Sequence, residues 1–262
     1  MRLALMQAKK SLGNTKDNPS VGCVIVKNNH VISSGCTSYN GRPHAETNAI
    51  KNSRVSVKNS DIYITLEPCS HFGKTPPCIN KIINKKIKKV FFSVNDPDHR
   101  SYKKSIKLLK KKKIKTSSGI LSSDVKDFYK SYFLYKSDNL PFVTLKLAVS
   151  KDYRTINKNK RWVTNSYSRS RVHLMRSFHD CIITSYKTVN KDNPLLNCRI
   201  NGLIKNSPVI IILDKKLKIK NSSKIINNKQ GKTIIFYNKF NAKKVNFLRK
   251  KGIKTIKATL DI

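Results

Sequence analysis

The chain has 262 residues, 38% of them hydrophobic, which is enough for a buried core and, at about 100–200 residues per domain, for two domains. No apolar run approaches the roughly 18–20 residues that cross a bilayer, and no leader with a cleavage site is found, so we expect a cytoplasmic protein without a membrane partner. The net charge of +41 would suit a nucleic-acid partner. The lysines are, however, spread along the chain, and a bias toward A/T-rich codons would explain their number. We therefore expect no specific nucleic-acid partner.

The predicted elements of the first half alternate between strands and helices. In chain order they are a helix over 1–12, a hairpin over 21–32, a helix over 44–52, a strand over 62–66, a helix from Pro76 to 86, a strand over 90–94, a helix over 105–113 and a short strand over 114–116. This order predicts an α/β sandwich rather than a helical bundle.

The pattern restarts after a predicted boundary near 137–140, which gives domains over 1–138 and 141–262. The predicted elements are strands over 142–149, 181–184, 209–213 and 232–237, helices over 166–178 and 242–250, and a polar loop over 215–230. Strands that alternate with helices favour a parallel sheet, so this half is also predicted to be α/β.

Aspartate greatly outnumbers glutamate among the acidic residues. The chain has 12 Asp and only two Glu, Glu46 and Glu67. Both glutamates lie beside possible metal ligands. The six cysteines could form disulfides, but in a chain of this length without a leader we expect free thiols or metal ligands.

A metal constellation is predicted from three residues. His44 precedes Ala45-Glu46, Cys69 follows Pro68, and Cys78 comes nine positions after Cys69. One imidazole and two thiolates suit zinc, and three protein ligands leave the fourth position open to water, as in a catalytic site. Glu46 is then placed to move a proton between that water and a leaving amine.

Two alternatives remain open for these residues. The zinc could be structural and closed by a fourth ligand, His71 or Cys23, or the cysteines could be ordinary core thiols. The order His-x-Glu, Pro-Cys, Cys is the signature of zinc deaminases and favours the catalytic interpretation. The eight residues between the two cysteines depart from the two that are usual in deaminases of nucleic acids.

The first half resembles the deaminase domain of the bifunctional riboflavin-biosynthesis deaminase/reductase family. The residues that carry the resemblance are 18–26, 43–46, 65–78 and 95–97. It implies a cytidine-deaminase-like three-layer α/β/α domain, with Zn2+ on His44, Cys69 and Cys78 and with Glu46 as the proton shuttle.

The same resemblance implies a small-molecule partner, a phosphorylated pyrimidine. Asn18 would help to seat the pyrimidine, although a turn residue before Pro19 is the alternative. His71, Lys74 and Thr75 would contact the substrate phosphate, or the loop that carries them is merely polar. Glu67 is expected to fix a ligand or a loop by hydrogen bonds.

The second half resembles the reductase domain of that family through residues 145–155, 161–164, 172–176 and 188–196. It implies an incomplete dihydrofolate-reductase-like α/β domain that uses NADPH. Ala148, Trp162, Thr188 and Asp192 would contact the cofactor. Core packing is the alternative for Trp162, and a plain turn is the alternative for residues 192–194.

Substrate contacts in the second half are implied for Arg176, Leu196 and Arg199. The family usually has Gly where Tyr153 stands, so we expect a distorted turn there. Its members also continue further, with a late Glu and a Gly-rich turn for the cofactor phosphate. Neither feature occurs in this sequence, so the resemblance leaves the reductase activity open.

The sequence therefore predicts deamination of 2,5-diamino-6-ribosylamino-4(3H)-pyrimidinone 5′-phosphate, followed by NADPH-dependent reduction of its ribosyl chain to ribityl. A homo-oligomer is implied by the family. The alternatives are a deaminase of tRNA or single-stranded DNA, a deaminase with an inert reductase remnant, and a zinc-stabilised RNA-binding module.

Overall fold

The computed structural model describes residues 1–155, 163–228 and 232–259. It divides the chain into two compact units, Met1–Leu145 and Lys146–Ile262, a few residues beyond the boundary placed from the sequence. In the described part of the chain no helix has the length and apolar character of a membrane span, the longest being 12 residues.

The first unit is a mixed sheet packed with helices. Its strands are β1 Gly22–Lys27, β2 His30–Cys36, β3 Asp61–Leu66, β4 Lys89–Val94 and β5 Lys115–Ser118, and its helices are α1 Arg2–Lys10, α2 Ala45–Asn52, α3 Cys78–Asn84, α4 Lys104–Lys111, α5 Ser122–Phe128 and α6 Lys130–Asp138. The strand and helix predictions for this half are confirmed, with shifts of one to a few residues at most ends. Helices α5 and α6 are additional.

The strand order β2-β1-β3-β4-β5 brings the functional loops to one edge of the sheet. Strands β1 and β2 form the antiparallel hairpin, and β3, β4 and β5 run parallel. Successive strand residues point to opposite faces, and Cys23, Val24 and Ile25 are all buried, so both faces are covered. The carboxyl ends of β3 and β4 meet at one edge, where Glu67 and Asp96 follow.

The second unit has a purely parallel sheet, as the alternating pattern predicted. Its strands are β6 Cys181–Ser185, β7 Val209–Leu213, β8 Thr233–Tyr237 and β9 Lys254–Lys257, in that order across the sheet. Its helices are α7 Ser166–Ser177, α8 Tyr186–Asp192, α9 Lys224–Asn227 and α10 Ala242–Lys250. Branched residues of β7 and β8 pack with α10 in a core that includes Ile212, Ile235 and Leu248.

The predicted strand over 142–149 is wrong. The segment is not assigned to a strand, and Val143 and Leu145 are 80% and 90% exposed. Alternating apolar residues signal an extended chain, but a strand also needs a hydrogen-bonded neighbour. The turn that follows places Tyr153 at φ 59°, in the left-handed region that glycine tolerates best, in line with the expected distortion.

The predicted polar loop over 215–230 is only partly correct. It contains the single-turn helix α9, and it buries Leu217, Ile219, Ile225 and Ile226 in the core of the second unit. Isolated apolar residues within a run of Lys, Asn and Ser show no period, so their burial could not be read from the pattern.

Candidate metal centre and catalytic site

The three predicted ligands converge near the carboxyl end of β3, the central strand of the first sheet. His44 is the residue just before α2, Cys69 lies just beyond β3, and Cys78 is the first residue of α3. The ligand atoms all lie within 4.8 Å of one another. His44 Nδ1 is 3.6 Å from Cys69 Sγ and 3.2 Å from Cys78 Sγ. Nitrogen and sulfur ligands of a tetrahedral zinc ion lie about 3.6 Å apart, so this donor set fits zinc.

Local hydrogen bonds hold the ligands in place. The Cys78 backbone N–H donates to Cys69 Sγ at 3.2 Å, so the start of α3 supports the first thiolate. The Asn48 amide of α2 donates to the Cys36 carbonyl and to Ser38 Oγ, at 2.7 and 2.8 Å. These bonds join α2 to the end of β2 and fix the helix that presents His44.

The two thiols are electrostatically different. Hydrogen bonding from Cys78, with a further contribution from His44, lowers the pKa of Cys69 to about 4. The same bond to Cys69, together with burial, raises the pKa of Cys78 well above its usual value. The hydrogen bond to Cys69 also raises the pKa of His44. A dication would ionise Cys78 as well, so metal binding is expected to release protons.

Glu46 lies in the first turn of α2, two residues after His44, and is only 3% exposed. Burial raises its pKa, and the nearby Cys69 thiolate raises it further. A raised pKa makes the carboxylate a better proton acceptor, which suits a general acid/base.

The fourth-ligand alternatives find no support among the described residues, whose group of converging ligand atoms includes neither His71 nor Cys23. His71 Nδ1 instead forms a hydrogen bond with Ser101 Oγ at 2.9 Å. Cys23 is buried in β1, where burial raises its pKa.

Three of the four predicted substrate residues of this unit lie on the loop between the two cysteine ligands. Lys74 and Thr75 are exposed on the loop between the two cysteines, and His71 is half-buried on it. Asn18 packs on Gly41, where an added Cβ would lie 2.2 Å from Asn18 Nδ2. Their contact with substrate stays a prediction.

Arg42 was missed by the sequence analysis. Its guanidinium donates to Thr75 Oγ1 and lies against Gly73, where an added Cβ would be 3.3 Å from Nη2. It therefore adds a cation to the loop between the cysteines. Its position two residues before His44 was the available signal.

The expectation that Glu67 fixes a loop is confirmed. Its buried carboxylate accepts from the backbone N–H groups of Asp96, Lys103 and Ser105 at 3.4, 3.0 and 3.3 Å, and from the Ser105 hydroxyl. One side chain thus ties the end of β3 to the whole 96–105 connection into α4.

Replacing Glu67 by Gln is expected to loosen the 96–105 connection. The amide turns a donor toward groups that are themselves donors, and a buried unsatisfied group costs about 1–3 kcal/mol. Hydrogen exchange of the 96–105 amides should accelerate about tenfold to a hundredfold, while exchange in β1 and β2 changes little. The change Asp61→Asn at the far end of β3 is the control, and unchanged exchange in Glu67→Gln would contradict this role.

A second buried acid, Asp96, is expected to make stability depend on pH. Burial raises its pKa from 3.8 to about 6, although Asp98 N–H and Tyr132 Oη–H donate to it at 3.0 Å. The folded state therefore holds the proton more tightly than the unfolded state, and this group destabilises the fold as pH rises from about 4 to about 6.

Asn at position 96 can accept the same hydrogen bonds without ionising. The stability of Asp96→Asn relative to the unmodified chain should rise by about 1–3 kcal/mol between pH 4 and pH 7 and then stay level. Thermal unfolding of the first unit at several pH values measures this difference. A difference that is constant with pH would show that folding does not shift the pKa of Asp96, and a difference that falls would show that folding lowers it.

In the second unit, two of the three predicted substrate residues form hydrogen bonds that connect α7 to the 197–199 segment. Arg176 Nη1 donates to the Asn197 carbonyl at 3.1 Å, and Arg199 donates to His173 on the same helix. Leu196, at φ 53°, packs half-buried against the core. His173 was not predicted as a site residue.

The predicted cofactor residues are less closely gathered. Thr188 and Asp192 lie one turn apart and exposed on α8, directly after β6, and Ala148 is half-buried in the irregular 142–149 segment. Trp162 lies outside the described residues. Asn193 ends α8 at φ 43° and accepts from Lys224 N–H at 2.8 Å, which supports the turn interpretation of 192–194.

Two family models match the chain. Residues 1–94 match the cytidine and deoxycytidylate deaminase zinc-binding region, and residues 141–261 match the RibD C-terminal domain. The riboflavin biosynthesis protein RibD of Aquifex aeolicus is 34% identical over 98% of this chain and 72% of its own length. RibD of Bacillus amyloliquefaciens is 36% identical over 90% of this chain and 64% of its own length.

Solved structures agree with these matches. A diaminohydroxyphosphoribosylaminopyrimidine deaminase/5-amino-6-(5-phosphoribosylamino)uracil reductase from Thermotoga maritima superposes with a TM-score of 0.85 at 29% identity, covering 98% of this chain and 79% of that one. Acinetobacter baumannii RibD gives the same TM-score at 30% identity, covering 99% and 73%. The chain thus spans roughly two thirds to four fifths of these relatives.

Proposed function

Because the chain belongs to the RibD family of riboflavin biosynthesis proteins, we propose that its first unit deaminates 2,5-diamino-6-ribosylamino-4(3H)-pyrimidinone 5′-phosphate and that its second unit reduces the product with NADPH. The observation that carries the proposal is the convergence of His44, Cys69 and Cys78 beside a buried Glu46. These residues have the types and order that a zinc-dependent deaminase needs.

His44, Cys69 and Cys78 would hold the zinc ion. When bound, zinc acts as a Lewis acid that brings the pKa of a water molecule close to 7. Hydrolytic deamination replaces the exocyclic amine of the ring by oxygen and releases ammonia. One proton must leave the water and one must reach the departing amine.

Glu46 is the group that moves these protons. Its carboxylate takes the first proton and returns it, and a raised pKa makes that carboxylate a stronger base. Asn18 orients the pyrimidine beside Glu46, and His71, Lys74 and Thr75 hold the substrate phosphate together with Arg42. Lys74 and Arg42 carry positive charge, and His71 and Thr75 can donate hydrogen bonds, which suits an anionic group.

In the second unit, Thr188, Asp192 and Ala148 would hold NADPH. The pair on α8 fits such a role, because it is exposed at the carboxyl end of a parallel strand, where nucleotides bind in open α/β sheets. NADPH supplies a hydride when bound. Arg176, Arg199 and Leu196 position the phosphorylated ribosyl chain that is reduced.

The experiment that tests this function compares substrates. The purified chain with zinc should release ammonia from the free pyrimidine and leave single-stranded DNA and tRNA unchanged. Turnover only on a polynucleotide would favour the nucleic-acid deaminase, which the charge of +41 makes the second candidate. NADPH oxidation with the deaminated product tests the second unit, and its absence would indicate a deaminase with an inert remnant.

The family further suggests a cytoplasmic homo-oligomer. Size-exclusion chromatography coupled to light scattering tests the oligomeric state. The salt concentration should be about 0.5 M, because this screens nonspecific binding to polyanions. A monomer would contradict this part of the proposal.

A further inference from the structure

Three basic side chains of the second unit are connected by short contacts, two of them at one backbone carbonyl and the third at the histidine. His173 and Arg176 lie three residues apart on α7 and so share a face of the helix. His173 Nδ1 and Arg176 Nη1 both lie 3.1 Å from the Asn197 carbonyl oxygen. Arg199 reaches back to the same histidine, with Nε at 3.3 Å and Nη2 at 3.1 Å from His173 Nε2.

The shorter contacts favour one tautomer of the ring, in which Nδ1 also lies 3.5 Å from Arg176 Nη1. A carbonyl can only accept, so His173 Nδ1 carries the proton that binds Asn197. A guanidinium can only donate, so His173 Nε2 is bare and accepts from Arg199. The ring is therefore neutral, and its two nitrogens have separate tasks. Nδ1 anchors α7 to the 196–199 segment, and Nε2 sets the direction of Arg199.

The surroundings of His173 favour its neutral form. They also provide no carboxylate to pair with Arg176 or Arg199 among the described residues. Burial, followed by Arg176 and Arg199, lowers the pKa of His173, and burial together with Arg199 lowers that of Arg176. Within the described ranges, no carboxylate forms an ion pair with either arginine. Arg176 Nε is likewise buried without a described hydrogen-bond partner.

We propose that His173 is a positioning residue for substrate, whose bare Nε2 holds Arg199 next to Arg176 so that both guanidinium groups bind one anionic group. The identity of that anion, a phosphorylated ribosyl chain, rests on the proposed function. A free arginine side chain has about 2 kcal/mol of rotamer entropy, and orienting it in advance removes part of that cost on binding.

A matched pair of variants separates the two ring nitrogens. His173→Gln can retain an acceptor near the Nε2 position, whereas His173→Asn retains a donor near the Nδ1 position and loses the contact to Arg199. Binding of ribose 5-phosphate to the full chain, measured by calorimetry at about 0.15 M salt, should weaken about tenfold in His173→Asn and less than threefold in His173→Gln.

The role also predicts coupling to Arg199. Arg199→Gln should weaken ribose 5-phosphate binding at least tenfold, and adding His173→Asn to it should cost less than a further twofold, because the histidine acts through that arginine. A purely structural histidine would give the opposite result, with Asn tolerated, Gln weak and the losses additive. Any of those three outcomes, or no saturable binding by the unmodified chain, would overturn the proposal.

One readout needs no variant. Nitrogen NMR of His173 in the unmodified chain at pH 7.5 should show a protonated Nδ1 and a bare Nε2, and a protonated Nε2 would overturn the proposal. Failure of the proposed function is distinguishable, because a chain that binds ribose 5-phosphate with this histidine dependence but does not oxidise NADPH lacks the reductase and keeps the positioning role.

Discussion

Replacing Glu46 by Gln is expected to lower the rate of pyrimidine deamination by at least about 100-fold while zinc stays bound. Glutamine keeps the size and the hydrogen-bonding shape of the side chain but cannot take or return a proton, and removing a general acid/base typically costs 10²–10⁴-fold. Ammonia release, measured together with the zinc content of the same sample, checks both parts of this expectation.

The control is Asp61→Asn, the same carboxyl-to-amide change at the far end of β3. It should leave the rate within about twofold. Glu46→Gln that keeps more than a tenth of the rate would mean that another group moves the proton. If neither the unmodified chain nor Glu46→Gln released ammonia and both bound RNA equally well, the zinc-stabilised RNA-binding module would be favoured.

The change Cys69→Ser should remove both the metal and the deamination. A serine hydroxyl stays protonated and lacks the soft sulfur that zinc prefers, so we expect zinc affinity to fall by at least about 10³-fold. Deamination should then be undetectable, whereas ribose 5-phosphate binding by the second unit should be unchanged. Metal analysis after dialysis, followed by the ammonia assay, measures the effect.

Cys36→Ser is the matched control, because Cys36 is a half-buried free thiol of β2 in the same unit. It should keep zinc and activity. If Cys69→Ser kept zinc at full occupancy, the ligand set would have to differ from the three residues that converge here.

The metal centre could be predicted from the sequence because its members are positioned by local structure. His44 and Cys78 stand at the first turns of α2 and α3, and Cys69 follows the end of β3. Each position was marked by a neighbouring proline or by the end of an apolar run. The coarse α/β order of both units followed from the same signals.

Predictions failed or were missing where a residue depends on distant partners. The 142–149 segment has the apolar pattern of a strand but is not paired with a neighbouring strand. The contacts of Arg42 with the 73–75 loop join residues that are over 30 positions apart. His173 shares a helix face with Arg176, which was a usable signal, but its bond to Arg199 spans 26 positions. Tertiary contacts of this kind leave no period in the sequence.

The placement of the three ligands means that a bound ion would also cross-link separate parts of the first unit. They sit where α2 begins, where β3 ends and where α3 begins, and coordination closes the 34 positions between His44 and Cys78 into a ring. An ion that binds only the folded form adds about 2.7 kcal/mol when its free concentration is a hundred times its dissociation constant. Scarcity of zinc would therefore weaken the architecture of the first unit as well as stop its chemistry.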